Sequence, residues 1–284
     1  MPASAGILYV VATPIGHLGD ITLRALEILR QVDLIAAEDT RHCRRLLSHY
    51  DISTPTTPLH EHNERHQVSE LVGKLTTGLN IALVSDAGTP LINDPGFPLV
   101  SAALERSLKV VPIPGPCAAI TALSAAGLPT DRFVFEGFPP RQKSARCTFF
   151  KRLRDETRTL ILYESSHRLK ACLTDLAEIF PPDRRLVIAK ELTKIHESLI
   201  PTQVSEATGL LGRNPELSKG EFVLLLAGAS RLPETGLTAE QRRILHLLLS
   251  ECSLKTAVQL AEKITGVRKK LLYTEALDWQ QQKF

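Results

Sequence analysis

The chain has 284 residues, with 34 Lys and Arg against 31 Asp and Glu, 43% hydrophobic residues and 5% aromatic ones. A net charge of +3 excludes a polybasic or strongly acidic tail protein, and the length suits two or three domains with aliphatic cores. The five cysteines (Cys43, Cys117, Cys147, Cys172, Cys252) form no CxxC pair, which argues against a zinc site or a disulfide framework and for a reducing, cytoplasmic setting. No apolar run approaches the ~18 residues of a membrane span. The N-terminal apolar run has no Lys or Arg before it, so it reads as a buried strand rather than a signal peptide.

In chain order, β-branched and aliphatic runs predict strands over residues 7–12, 34–37, 81–85, 109–113, 132–136, 159–163, 186–190 and 221–226. The run Ile81-Ala-Leu-Val-Ser85 does not alternate, as expected of a strand covered on both faces. Between the first two strands, Asp20 is expected to cap a helix that buries Ala25, Ile28, Leu29 and Val32. Strand–helix alternation predicts an α/β protein with a largely parallel sheet. Pro112-Ile-Pro-Gly-Pro116 is expected to stop a central strand and to connect two α/β halves. Residues 228–236 separate the last strand from a helical tail. There Ile244, Leu247 and Leu248 share a face, and two more helices flank Thr265-Gly266. The domains read from these signals are 1–115, 116–230 and a helical accessory domain at 237–284.

In α/β sheets, ligands sit beyond the carboxyl ends of strands. The segments there are Thr13-Pro-Ile-Gly-His-Leu-Gly-Asp20, Glu38-Asp-Thr-Arg41, Asp86-Ala-Gly-Thr-Pro-Leu-Ile-Asn-Asp-Pro-Gly96, and residues 114–129. They are dense in Gly, Pro, Ala and small hydroxyls, so backbone groups can approach a flat, largely apolar ligand. No GxG occurs anywhere and no GxxxxGK[ST], which removes the dinucleotide fingerprint and the phosphate loop. The segment His60-Glu-His-Asn-Glu-Arg-His66 lacks HExxH spacing and reads as a polar, substrate-facing or solvated loop rather than a metal site.

These segments, with Glu136-Gly-Phe138, Tyr163-Glu-Ser-Ser-His-Arg168, Lys190-Glu-Leu-Thr193 and Lys219-Gly-Glu221, resemble the tetrapyrrole methylase superfamily of S-adenosylmethionine (SAM) enzymes. More narrowly they resemble its ribosomal RNA small-subunit 2′-O-methyltransferase I branch. The sequence departs from that branch at His17, where an Asn is usual. The resemblance implies two α/β domains with a SAM cleft between them, plus a small C-terminal helical domain. It also implies a homodimer and methylation of a cytidine ribose 2′-hydroxyl in the decoding region of 16S rRNA, within the small ribosomal subunit. Two other readings are a SAM-dependent methyltransferase acting on a tetrapyrrole precursor and a non-catalytic ribosome-binding protein.

A sulfonium methyl is already activated, so the reaction needs alignment rather than a metal. On this resemblance the cofactor-binding residues are Pro14, Gly16, Asp86, Ala87, Gly88, Thr89, Ile92, Cys117, Ala118, Tyr163 and Glu164, although Asp86 suits a turn cap equally well. A ribose hydroxyl needs a proton acceptor. Glu38, Asp39 and Arg41 are the candidates, with Arg41 on a phosphate and a carboxylate on the hydroxyl; a self-contained Asp39–Arg41 ion pair is the alternative. Residues 141–158 hold seven basic side chains against two acidic ones, a local +5, and residues 235–284 hold eight against five. Phosphate contacts are therefore expected from Arg141, Lys143, Arg146, Lys151, Arg152 and Arg154, and from Arg268, Lys269 and Lys270 in the tail. Phe149 and Phe150 interrupt the first patch and are expected to pack their helix rather than to stack a base.

Overall fold

The structure is a computed structural model and describes residues 5–60, 63–213, 215–229, 237 and 239–281. Residues 1–229 form one compact unit and residues 230–284 a second. The connector expected at 228–236 is described only at Gly228 and Ala229; the rest of it lies outside the described residues.

The first half of the larger unit runs β1 (Ile7–Val11), α1 (Leu23–Gln31), β2 (Leu34–Ala37), α2 (Thr40–His49), β3 (Thr56–Pro58), α3 (Glu64–Thr76), β4 (Ile81–Val84), α4 (Phe97–Glu105) and β5 (Lys109–Ile113). Its five strands are all parallel, in the order β3-β2-β4-β1-β5. Ile81 and Leu83 of β4 pack with α3 and α4 (Leu71, Leu75, Leu99), while Ala82 and Val84 pack with α1 and α2 (Leu26, Leu29, Leu46, Leu47). Two buried faces explain why this strand does not alternate in sequence. The chain moves outward from β1 through β2 to β3 and then returns to place β4 between β2 and β1, so the loops after β1 and β4 meet at a switch point.

The second half runs α5 (Ala118–Ala125), β6 (Phe133–Gly137), α6 (Lys143–Leu153), β7 (Thr159–Ser165), α7 (Ser166–Ile179), β8 (Arg185–Lys190), β9 (Ser198–Gln203), α8 (Val204–Arg213) and β10 (Glu221–Leu226). Its sheet order is β6-β7-β10-β8-β9, and only β6 and β7 are parallel. The expectation of a largely parallel sheet therefore holds for the first half and is corrected for the second. A short loop joins β8 to β9 directly, a connection that suits antiparallel neighbours and needs no crossover helix. One face of this sheet carries α6, α7 and α8, with Phe150 fully buried; the other carries α5 through Ala119, Ala122 and Leu123.

Local expectations shift in three places. Thr22, not Asp20, caps α1: its Oγ1 accepts the Ala25 N–H at 3.1 Å, whereas Asp20 closes a 3-10 turn over Leu18–Asp20. Pro112 does lie within β5, but β5 is an edge strand, where a missing donor is tolerated. Strands β3 and β9 escape a hydrophobicity reading because each is a proline-containing edge strand with little buried surface.

The smaller unit contains α9 (Ala239–Glu251), α10 (Leu254–Thr265) and α11 (Lys269–Gln281). Ser253 caps α10, and Gly266, in the left-handed region at φ 69°, ends it. Its core is Leu245, Val258, Ala261, Val267, Leu272 and Ala276, so the expected face of α9 is rotated: Leu245 is buried and Leu247 is exposed.

Thr22→Ala should lower stability by about 1 kcal/mol in urea denaturation, and Asp20→Ala should leave it unchanged within error.

Candidate functional site

A cavity of about 340 Å³ opens beyond the strand ends of the larger unit. Ala87, Gly88, Thr89 and Ile92 reach it from the loop after β4, and Cys117 and Ala118 from the start of α5. Tyr163 and Glu164 reach it from the end of β7, while Ile15 comes from the loop after β1. Eight of the expected cofactor residues are thus brought together. The other three are not. Gly16 lines a separate groove, Pro14 lines neither, and Asp86 turns toward the end of β2.

The loop after β4 is held in place by backbone pairing. Thr13 N–H donates to Gly88 O at 2.8 Å and Gly88 N–H to Thr13 O at 3.0 Å. Gly88 sits at φ 81°, and a Cβ there would stand 3.2 Å from Ile15 Cγ2, so both backbone freedom and close approach favour glycine. Further along, Leu91 and Asn93 adopt left-handed backbone at φ 72° and 69°. Gly137, itself at φ 64°, lets Asn93 press against β6, since a Cβ would stand 2.5 Å from Asn93 Oδ1. Glu64 Oε1 accepts the Gly96 N–H at 2.9 Å and pins the far end. Within residues 60–66, Glu61 and His62 lie outside the described residues; Asn63 folds its amide oxygen onto the His60 N–H, and Glu64 holds the loop after β4 through the Gly96 N–H.

The polar residues of the lining include Glu164, Tyr163 and Asp94. Glu164 is buried; its Oε1 faces Arg168 Nε at 3.3 Å and accepts the Ser165 N–H at 2.9 Å, and its carboxylate also meets the Cys172 thiol of α7. Tyr163 hydroxyl accepts the Ala119 N–H at 3.1 Å, and burial raises its phenol above the ordinary tyrosine range, so it stays protonated. Asp94 is a lining residue that the sequence reading missed. Burial raises its carboxyl above the usual range; a Ser85 hydrogen bond opposes this and the Asp86 charge adds to it. Its signal lay in the quoted DPG turn, but only the fold shows that this turn bends back to the cavity.

Glu38, Asp39 and Arg41 stand outside that lining. Asp39 N–H donates to Asp86 Oδ1 at 3.0 Å and Asp86 N–H to Glu38 Oε2 at 3.4 Å, a crossed clasp between the ends of β2 and β4. Asp39 Oδ1 also caps α2 through the Arg41 N–H at 2.8 Å, and its carboxylate pairs with the Arg41 guanidinium at 3.2 Å. The self-contained pair is the arrangement observed, and it holds the Asp39 carboxyl below its ordinary range. His17, the departure from the usual Asn, accepts the Gly19 N–H through Nδ1 at 3.1 Å, so the imidazole itself caps the 3-10 turn.

A profile of the family described as Tetrapyrrole (Corrin/Porphyrin) Methylases matches residues 7–208, and one described as RsmI C-terminal HTH domain matches residues 235–280. The chain belongs to the tetrapyrrole methylase family. Within this family it is similar to a protein named ribosomal RNA small subunit methyltransferase I from Pseudomonas aeruginosa, 50% identical and covering 98% of this chain and 99% of that one. A protein of the same name from Synechocystis sp. is 47% identical over 96% of this chain and 98% of its own. Two solved structures share the fold. Diphthine synthase superposes with a TM-score of 0.60 at 13% identity, over 78% of this chain and 90% of that one. The uroporphyrin-III C-methyltransferase from Thermus thermophilus complexed with S-adenosylhomocysteine gives 0.53 at 17% identity, over 79% and 98%. SAM is the methyl donor of this tetrapyrrole methylase, and the lining suits it: apolar walls from Ile15, Ile92 and Leu192, small residues at Ala87, Gly88 and Ala118, and the N-terminal turn of α5, whose cap residue Cys117 makes no side-chain cap bond.

The basic patch of this methylase needs one correction. Arg146 is buried, pairs with Asp175 at 2.5 Å and donates to the Arg141 carbonyl at 2.9 Å, so it braces α6 against α7 and does not face a phosphate. Lys143 is exposed but engaged by Glu178 at 3.0 Å, whereas Arg141, Lys151, Arg152 and Arg154 are exposed, as are Arg268, Lys269 and Lys270. Phe149 and Phe150 are buried core residues. Arg146→Ala should destabilise the larger unit by about 3–5 kcal/mol in urea denaturation, because Asp175 is left buried without its main partner. A normal unfolding midpoint with weakened RNA binding would reverse that assignment.

Proposed function

We propose that the chain transfers the methyl group of SAM to a cytidine ribose 2′-hydroxyl in the decoding region of 16S rRNA. The observation that carries this is the near-full-length identity of about half with proteins named for small-subunit ribosomal RNA methylation. The setting is the cytoplasm, with the small ribosomal subunit as partner. A homodimer is supported by large apolar side chains left exposed on α4 and α5, with Phe97 70%, Leu104 59% and Ile120 50% exposed.

When bound, SAM supplies a methyl that needs no further activation. The chain has to hold a weakly acidic hydroxyl in line with it and receive the hydroxyl proton. We assign that last task to Asp94. It is a carboxylate in the cavity lining, set in a loop fixed at Thr13, Glu64 and Gly137, and burial raises its affinity for a proton. Glu38, Asp39 and Asp86 act behind it by clasping the strand ends, and Arg41 completes the Asp39 cap. The first turn of α5 binds the donor, with Ala87, Gly88, Thr89 and Ile92 forming the wall and Tyr163 and Glu164 the end of β7 that closes it. The exposed basic residues of α6 and of the smaller unit contact phosphates.

Incubating small subunits from a deletion strain with labelled SAM and mapping the product should place one methyl on a cytidine ribose. Methylation of a base, or no transfer to any form of the RNA, would sink this reading. Asp94→Asn should lower kcat by about 10²–10⁴-fold with SAM affinity retained. Because the acid must be ionised to accept a proton, wild-type turnover should fall as pH drops through the raised Asp94 pKa, and the variant should lose that acid limb. Asp39→Asn should cost stability through the cap and leave the pH profile in place.

A further inference from the structure

The helix α2 carries a basic surface that the charge count of the chain conceals. Its exposed positions are Arg41, His42, Arg44, Arg45, Ser48 and His49, and no acidic residue occurs within Thr40–His49. Cys43, Leu46 and Leu47 anchor the opposite face in the core beneath β2. Arg41 is occupied by Asp39, but Arg44 and Arg45 have no carboxylate partner among the described residues. Two exposed guanidinium groups without carboxylate partners among the described residues leave a local excess of positive charge on the helix. Such a surface is suited to a polyanion.

Where α2 ends matters as much as its charge. At its N-terminus the Asp39–Asp86–Glu38 clasp ties it to the loop of the donor cavity. At its C-terminus His49 and Tyr50 enter a second, open groove, whose other walls are Gly16–Gly19, Glu191 and Thr193–His196. That groove adjoins the donor cavity through consecutive residues: Ile15 lines one and Gly16 the other, and Leu192 lines one and Thr193 the other. Three imidazoles (His17, His49, His196), the Tyr50 ring and Lys194 face it.

The loop over residues 191–197 is braced rather than slack. Glu191 and Thr193 hold left-handed backbone at φ 50° and 64°. Lys194 Nζ bridges Glu191 and Glu221, each at 2.9 Å, and Thr193 Oγ1 accepts the His17 N–H at 3.0 Å. On this framework Ile195 is 96% exposed, a large apolar side chain held out to solvent at the groove. A fixed apolar tip flanked by a cation and an imidazole suits the face of an unstacked base or ribose.

We infer that the RNA strand carrying the acceptor nucleotide runs along the cationic face of α2 and enters this groove, with Arg44 and Arg45 on its phosphates and Ile195 against the nucleoside next to the acceptor. The inference rests on the ribosomal RNA reading and places the strand away from the basic residues of α6 on which that reading drew.

The test uses the full chain, with methyl transfer from labelled SAM to small subunits and equilibrium binding of the same RNA across a salt series. Transfer by the unaltered enzyme tests the reading; the variants test the track. Arg44→Gln with Arg45→Gln should raise the KM for subunits about tenfold with kcat nearly unchanged, and should reduce the slope of log affinity against log salt by about 1.4, two phosphate contacts to a single strand. Ile195→Ser should lower kcat/KM and Ile195→Leu should restore it. S-adenosylhomocysteine affinity and the unfolding midpoint should stay at wild-type values in all three. If the unaltered enzyme transfers methyl and the double variant shows an unchanged KM and salt slope, the track is overturned. Equal behaviour of the Ser and Leu variants would remove Ile195 from it.

Discussion

Two backbone hydrogen bonds between Thr13 and Gly88, 2.8 and 3.0 Å long, lace the loop after β1 to the loop after β4. The parallel sheet brings these loops to one end of the molecule, because β4 returns to lie beside β1. The bridge then converts proximity into a fixed wall. It needs Gly88, whose positive φ and closeness to Ile15 leave little room for a side chain. With the wall in place, Ile15 packs against the second sheet near α5, and the cavity lies between surfaces drawn from both halves of the larger unit. Small residues are dense here because the contacts are backbone to backbone, and a larger side chain would hold the loops apart.

Charge around the cavity is arranged in two tiers. The Asp86 and Glu38 carboxylates accept the backbone N–H groups of Asp39 and Asp86 and so hold two strand ends together, while the Asp39 carboxylate caps α2. Asp94 lies forward of them. Burial and the Asp86 charge both disfavour its ionised form, which separates its titration from that of an ordinary surface carboxylate. Arg146 and Asp175 form a further buried pair between α6 and α7. One surface thus uses the same residue type in two ways, since Arg146 is internal while Lys151, Arg152 and Arg154 on α6 and the turn after it are in water.

Much of the architecture was legible in residue patterns. The apolar run of β4 announced a strand buried on both faces, and residues 34–37, 109–113 and 221–226 are strands to the residue. The edge strands β3 and β9 were not legible: each holds a proline and little buried surface, so the sheet neighbour rather than hydrophobicity defines it. For the site, segments quoted for their resemblance to the tetrapyrrole methylases contained the eight expected cofactor residues that line the cavity and also Asp94, but nothing in the linear order singled out Asp94 from Asp39. A helix cap and a cavity-facing acid can carry the same side chain at a strand end, and only the path of the backbone separates them.

By itself the sequence determined the alternation of strands and helices, the separate helical tail and the family to which the chain belongs. Those features rest on local periodicity, on turn-forming residues and on long motifs of small residues, all of which are written along the chain. The tertiary structure decided which charges are partnered. Burial of Arg146, the raised proton affinity of Asp94 and the lack of carboxylate partners for Arg44 and Arg45 among the described residues depend on neighbours that are distant in sequence or on which face of a helix meets the core. Electrostatic roles follow from solvent access and from distances of a few ångströms, and a linear count of charges contains neither.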